Sequence, residues 1–110
     1  MERFVKIGEK EYRLLATGST PRRYRALFPN KDIFRDMAGA VSANGEILNS
    51  EFFENLAYCM ALQGGSIDPK TKIEDWLDSM DSPLAVLEAS PEILELWTAE
   101  THTTSIGKKG

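Results

Sequence analysis

The hydrophobic and polar positions change period along the chain. Val5 and Ile7, then Tyr12, Leu14 and Ala16, alternate with polar neighbours around Gly8-Glu9-Lys10. A two-residue period on either side of a glycine predicts two short strands joined by a tight turn, a β-hairpin. Two strands alone are marginal in water, so one face of the hairpin must lie against apolar side chains supplied by the rest of the chain. From Thr20 onward the period becomes helical. Thr20-Pro21 reads as a capped helix start, with proline at a position where no amide hydrogen is needed, and the first helix carries Arg22-Arg23-Tyr24-Arg25-Ala26-Leu27-Phe28. Pro29-Asn30 interrupts it, and a second helix begins near Asp32 with Ile33, Phe34 and Met37 as its apolar positions.

Ser42 to Asn49 holds Asn44-Gly45 and reads as a loop. Ser50 is then placed to cap a helix over Glu51 to Gln63, whose Phe52, Phe53, Leu56, Ala57, Cys59 and Met60 form a wide apolar face opposite Glu51, Glu54 and Asn55. This helix is the expected centre of the core. Gly64-Gly65 stops it. Thr71 and Glu74 have capping-box spacing ahead of a helix that turns Ile73, Trp76, Leu77 and Met80 inward. Ser82-Pro83 and Ser90-Pro91 each read as a further start, giving a short helix through Leu84, Val86 and Leu87 and a last one through Ile93, Leu94, Leu96 and Trp97. From Thr98 on there is little to bury, which predicts a mobile tail. The expected fold is mainly α: a short N-terminal β-hairpin packed on a compact bundle of about five helices, with residues 1–98 as one domain and 99–110 as a flexible tail.

Composition narrows the class of function. At 110 residues, 42% hydrophobic and 27% charged, the chain suits one ordinary globular domain with one modest core. No apolar run approaches the roughly 20 residues that cross a bilayer, and the opening Met1-Glu2-Arg3-Phe4-Val5-Lys6 has no signal-peptide core, so a cytosolic, membrane-free protein is expected. Cys59 is the only cysteine, which rules out an internal disulfide. A formal charge of −4 opposes a sequence-blind grip on nucleic acid.

Candidate chemistry is sparse. His102, the only histidine, has no second ligand in metal spacing and reads as a solvated bystander. Cys59 lies on the apolar helix face and reads as buried filler. Asp75, Asp78 and Asp81 lack the glycine and distal glutamate of a calcium loop. No nucleophile with a base, metal site or cofactor motif assembles, so no enzyme activity, cofactor or metal is expected. The strongest local charge feature is Arg22, Arg23 and Arg25 around Tyr24 at a helix opening. It reads either as a grip on an acidic partner or as arginines pairing with the chain's own surplus carboxylates. Trp97 likewise reads as core or as a partner anchor near the chain end. The candidate partner-binding residues are therefore Arg22, Arg23, Tyr24, Arg25 and Trp97.

Three stretches together resemble the tail assembly chaperones of long-tailed phages and prophages of Gram-positive bacteria. They are Lys6-Ile7-Gly8-Glu9-Lys10-Glu11-Tyr12; Ala16-Thr17-Gly18-Ser19-Thr20-Pro21-Arg22-Arg23-Tyr24-Arg25, followed by Phe28 and the helix from Asp32-Ile33; and Leu87-Glu88-Ala89-Ser90-Pro91-Glu92-Ile93-Leu94-Glu95-Leu96-Trp97, running into Thr103-Thr104-Ser105. Phe53-Glu54-Asn55-Leu56-Ala57-Tyr58 and Ile73-Glu74-Asp75-Trp76-Leu77 resemble the family's middle helices, so the likeness spans nearly the whole chain. It departs at Pro29-Asn30, where the family pattern favours a glycine after the phenylalanine, and this bears on the angle between the first two helices.

The resemblance implies a non-enzymatic protein of the host bacterial cytoplasm, absent from the mature virion. Its implied partners are the tape measure protein, which it keeps soluble, tail tube subunits, which it helps recruit, and a longer form of itself made by programmed frameshifting. Gly107-Lys108-Lys109 permits a slippery codon run for the last of these. The alternative from another class is a small structural tail or head-completion protein of the virion.

Overall fold

In the computed structural model, residues 1–98 are described in full. Beyond them only the helical backbone of the last element is described, and the flexible tail expected over 99–110 lies outside the fully described residues. The order is β1 (Glu2–Ile7), β2 (Lys10–Leu15), α1 (Thr20–Leu27), α2 (Ile33–Ala40), α3 (Ser50–Gln63), α4 (Ile73–Asp78) and α5 (Ala85–Lys109). The N-terminal hairpin and five helices match the architecture expected from the sequence pattern.

β1 and β2 pair antiparallel in one register, Val5 opposite Tyr12 and Ile7 opposite Lys10. Gly8 takes φ 68° at the first central position of the two-residue turn, the place where a hairpin of this hand needs a residue without Cβ. The alternation puts Val5, Ile7, Tyr12, Leu14 and Ala16 inside and leaves Phe4 on the outer face. The buried face rests on α3 through β2 and on α5 through β1, which gives the two-stranded sheet the apolar support it needs. Outside, Arg3 donates to Glu95 at 2.8 Å and Arg13 pairs with Glu2.

α3 is the centre of the bundle, touching β2, α1, α2 and α5. Nine of its fourteen residues are buried, too many for one stripe, because neighbours cover it on several sides. Asn55 is among them. The pattern assigned it to the polar face, but it lies inside beside the Tyr24 hydroxyl.

The helix starts differ locally from the expected ones. Asp32 caps α2 as expected, its Oδ1 accepting from the amides of Phe34 at 3.0 Å and Arg35 at 3.1 Å. Those bonds hold its carboxyl below the usual carboxylate range. For α3, however, Asn49 and not Ser50 is the cap, accepting from Glu51 at 3.0 Å. Thr20 does not cap α1 either; Ser19 occupies that position, and Thr20 is fully buried. The capping box at Thr71 is not formed: Lys72 precedes α4, and the Thr71 carbonyl accepts from the Tyr58 hydroxyl.

The two helices expected after Pro83 and Pro91 are one. α5 begins at Ala85 and carries Pro91 inside it. Proline at that place removes the amide that would bond to the Leu87 carbonyl, four residues back. The Ser90 hydroxyl donates to that carbonyl at 2.7 Å, so the acceptor stays satisfied and the helix continues. The side chains that α5 sends into the core, Val86, Ala89, Ile93, Leu96 and Trp97, thus share one rigid element.

Candidate functional site

The arginine-rich start of α1 borders an apolar cleft. Its walls are Arg23, Ala26 and Leu27 of α1; Cys59, Leu62 and Gln63 of α3; and Pro69 of the segment between α3 and α4, and its volume is about 350 Å³. The two helices are pinned there by a polar knot. Thr20 Oγ1 donates to Gln63 Oε1 at 2.8 Å and accepts from the Thr17 amide at 2.9 Å, while Gln63 Nε2 donates to Thr17 Oγ1 at 2.6 Å. The Gln63 amide therefore has both its oxygen and its nitrogen engaged within the protein, and the remaining floor is apolar.

Cys59 forms part of that floor. Burial pushes its thiol up from 9.0 to about 12, against a smaller opposing pull from Arg23. A thiol raised this far stays protonated at neutral pH and is a poor nucleophile, as its place on the apolar face suggested. The shift also sets a pH dependence. An acid whose pKa is raised by folding favours the folded state below its ordinary pKa, and that contribution is lost as pH rises above about 9 toward 12. Tyr24 is shifted in the same direction, first by burial and then by its bond to Asp36. The unfolding free energy from urea titration is therefore expected to fall steadily above pH 9, by up to about 1.4 kcal/mol per pH unit for each ionising group. In Cys59→Ala the fall should be shallower over pH 9–11; equal slopes would show that the thiol is not the titrating group.

The sequence-predicted site residues divide. Arg22, Arg23 and Arg25 are exposed. None of the three is in an ion pair among the described residues; Arg23 Nε donates to Ser19 Oγ at 3.1 Å, and Arg25 acts on Asp32 only at a distance. Internal pairing with the chain's carboxylates is thus not what occupies them there. Of the three only Arg23 lines the cleft, beside Ala26 and Leu27; at about 100° per residue Arg22 lies next to Ala26 on the side away from the cleft, and Arg25 points farther from it.

Tyr24 and Trp97 are core, not partner-facing surface. Tyr24 has 0% exposure, stacks edge-on against Phe28 with ring centroids 5.1 Å apart, and donates its hydroxyl to Asp36 at 2.9 Å. Trp97 is buried and packs against Phe34, with centroids 5.8 Å apart. Burial follows from position: Tyr24 sits on the one face of α1 that meets α3, and the arginines take the others.

Leu27, Leu62, Gln63 and Pro69 are site residues that pattern reading missed. Leu27 gave one signal, as a large apolar side chain that the packed face of α1 does not absorb; it is 39% exposed. A second apolar region lies elsewhere, where Phe34, Ile47 and Leu48 are exposed. A cleft of about 250 Å³ adjoins it, lined by Val41, Ile47, Phe53, Pro91 and Leu94 and bearing no charged side chain.

Among the described residues no group of three or more histidine, cysteine, aspartate or glutamate side chains could hold a metal ion, and no helix is long and apolar enough to cross a membrane. Comparison with protein-family models, with curated proteins and with solved structures finds no match to this chain.

Proposed function

We propose that this protein is a phage tail assembly chaperone that binds helical segments of the tape measure protein, keeps them soluble and helps recruit tail tube subunits around them. The observation that carries the reading is the apolar cleft between α1 and the C-terminal half of α3, with Leu27 exposed at its edge. A long amphipathic chain aggregates through its apolar stripe. A cleft that seats one or two apolar residues of a helical face shields that part of the stripe without needing a unique sequence. The resemblance of the hairpin, the Ala16–Arg25 stretch and the Leu87–Trp97 stretch to tail assembly chaperones supports the same reading.

Binding and release in the cytoplasm suit a shallow cleft. Burial of apolar area contributes about 25 cal/mol per Å², and ordering costs offset much of it, so each contact is weak and affinity comes from several.

Co-expression with the tape measure protein tests the proposal. Soluble tape measure protein is expected to rise and to co-purify with this chain, and Leu27→Asp, at an exposed position, should abolish both effects while the variant stays folded. No rescue and no complex, with the longer frameshifted form also supplied, would favour a small structural protein of the tail or head instead. Retention in purified particles would do the same.

A further inference from the structure

Resting on the chaperone reading, we infer that the cleft selects its partner by charge as well as by apolarity: its occupant is an amphipathic helix whose apolar stripe is edged with aspartate or glutamate on the side that lies along α1.

The two lips of the cleft differ. Arg23 stands on the α1 lip and Arg22 precedes it on the exposed surface of the same helix, both outside any ion pair among the described residues. On the opposite lip, Pro69 sits between Asp68 and Lys70, whose charges offset each other, and Asp68 Oδ1 is already occupied by the Lys70 amide at 2.9 Å. The cleft's field is thus positive on one side only. The rest of the surface has the other sign on balance, since the chain as a whole carries −4. An acidic partner is repelled by most of this molecule and attracted at α1, which fixes where and in which orientation it lands.

The floor supplies the other half of the selection. Gln63 has its oxygen and its nitrogen each engaged by Thr20 and Thr17, and Cys59 is a buried thiol, so the floor between them is mainly apolar. At about 350 Å³ the cleft takes one or two large apolar side chains, not a whole helix. On a helix, residues three and four positions from such an anchor lie beside it, so acidic residues there reach Arg23 while the anchor is seated. Guanidinium groups give such carboxylates two-point hydrogen bonds, which arginine makes better than lysine.

Three synthetic helical peptides with the same leucine stripe and with glutamate, glutamine or lysine at the flanking positions, titrated against the full chain at low and moderate salt, test the inference. The glutamate peptide is expected to bind at least about tenfold more tightly than the glutamine peptide, and the lysine peptide more weakly than both. Added salt should narrow the gaps. Arg22→Gln/Arg23→Gln should abolish the differences, and Leu27→Asp should weaken all three peptides.

Equal binding of the three peptides would overturn charge selection and leave the cleft as a general apolar groove. Binding of none would overturn the inference, and the co-expression result then decides separately whether the chaperone reading survives. Self-association of the chain that Leu27→Asp abolishes, with no peptide competing, would also overturn it by naming a second copy as the occupant.

Discussion

Tyr24→Ala is expected to cost about 3–5 kcal/mol, the range for removing a large aromatic side chain from a packed core. Tyr24 has no exposed surface, and its ring touches Phe28, the residue just past the end of α1, and Phe52 on α3 with centroids 6.4 Å apart. The same side chain reaches α2, since its hydroxyl donates to Asp36. Three helices therefore lose a shared contact at once. Folded domains have about 5–15 kcal/mol in hand, so the variant should be near the edge of unfolding at ordinary temperature. Tyr24→Phe keeps the packing and gives up one hydrogen bond to a carboxylate, for about 1–2 kcal/mol. Alanine at Arg22 or Arg25, exposed and outside the core, should change stability by about 0.5 kcal/mol or less. Urea titration of the four proteins checks the order. A Tyr24→Ala protein as stable as the parent would mean that Tyr24 is free to contact a partner, contrary to its burial.

That contrast within four consecutive residues bears on what the sequence can disclose. Arg22-Arg23-Tyr24-Arg25 reads as a polar cluster because three of its members are charged, yet the helix sends the fourth into the core. Period alone does not say how narrow the buried stripe of a short helix is. The hairpin was legible because alternation about Gly8 leaves only one register that buries Val5, Ile7, Tyr12 and Leu14 together. α3 was legible for the same kind of reason. Its caps were not, because Asn49 and Ser50 are both good capping residues and the choice depends on how the preceding chain arrives. The strand-like bridge between Val41 and Ile47 helps set that approach, with Leu48 donating to the Ala40 carbonyl.

Pro91 misled for a different reason. Proline ends most helices, and only a neighbour able to take the vacated carbonyl, here Ser90, lets α5 run through. The cleft was the least legible feature. It joins α1 to the end of α3 across 43 residues of sequence, the separation of Thr20 from Gln63, and to Pro69 beyond a glycine pair. Leu27 and Leu62 show in the sequence as apolar residues, but only the packing angle of the two helices leaves a gap between them.

The glycine pair gives the second large expected effect and separates two uses of the same residue type. Gly64 has ordinary right-handed backbone angles, φ −78° and ψ −3°, so conformation does not require glycine there. Space does. A Cβ at Gly64 would fall 2.1 Å from the Arg13 carbonyl oxygen, a backbone atom of β2 that no rotamer change can move. At that crossing Arg13 Nη1 donates to the Gly64 carbonyl at 3.1 Å, and the Ser66 hydroxyl accepts from the Arg13 amide at 2.7 Å and donates to its carbonyl at 2.9 Å. Gly64→Ala must push α3 and the hairpin apart and break this set, so it should cost about 3 kcal/mol or more. Gly65 is the reverse case: φ is 75° and nothing lies within 4 Å of a built Cβ. Gly65→Asn, with a residue that tolerates left-handed backbone, should cost no more than about 1 kcal/mol. Because Leu62 and Gln63 of the cleft immediately precede Gly64, Gly64→Ala should also weaken peptide binding when assayed below its unfolding midpoint, whereas Gly65→Asn should bind as the parent does. Equal stability loss in the two variants would show that the β2–α3 crossing is not held as closely as 2.1 Å implies. Loss of binding in Gly65→Asn alone would place the partner's path over the turn and not between the helices.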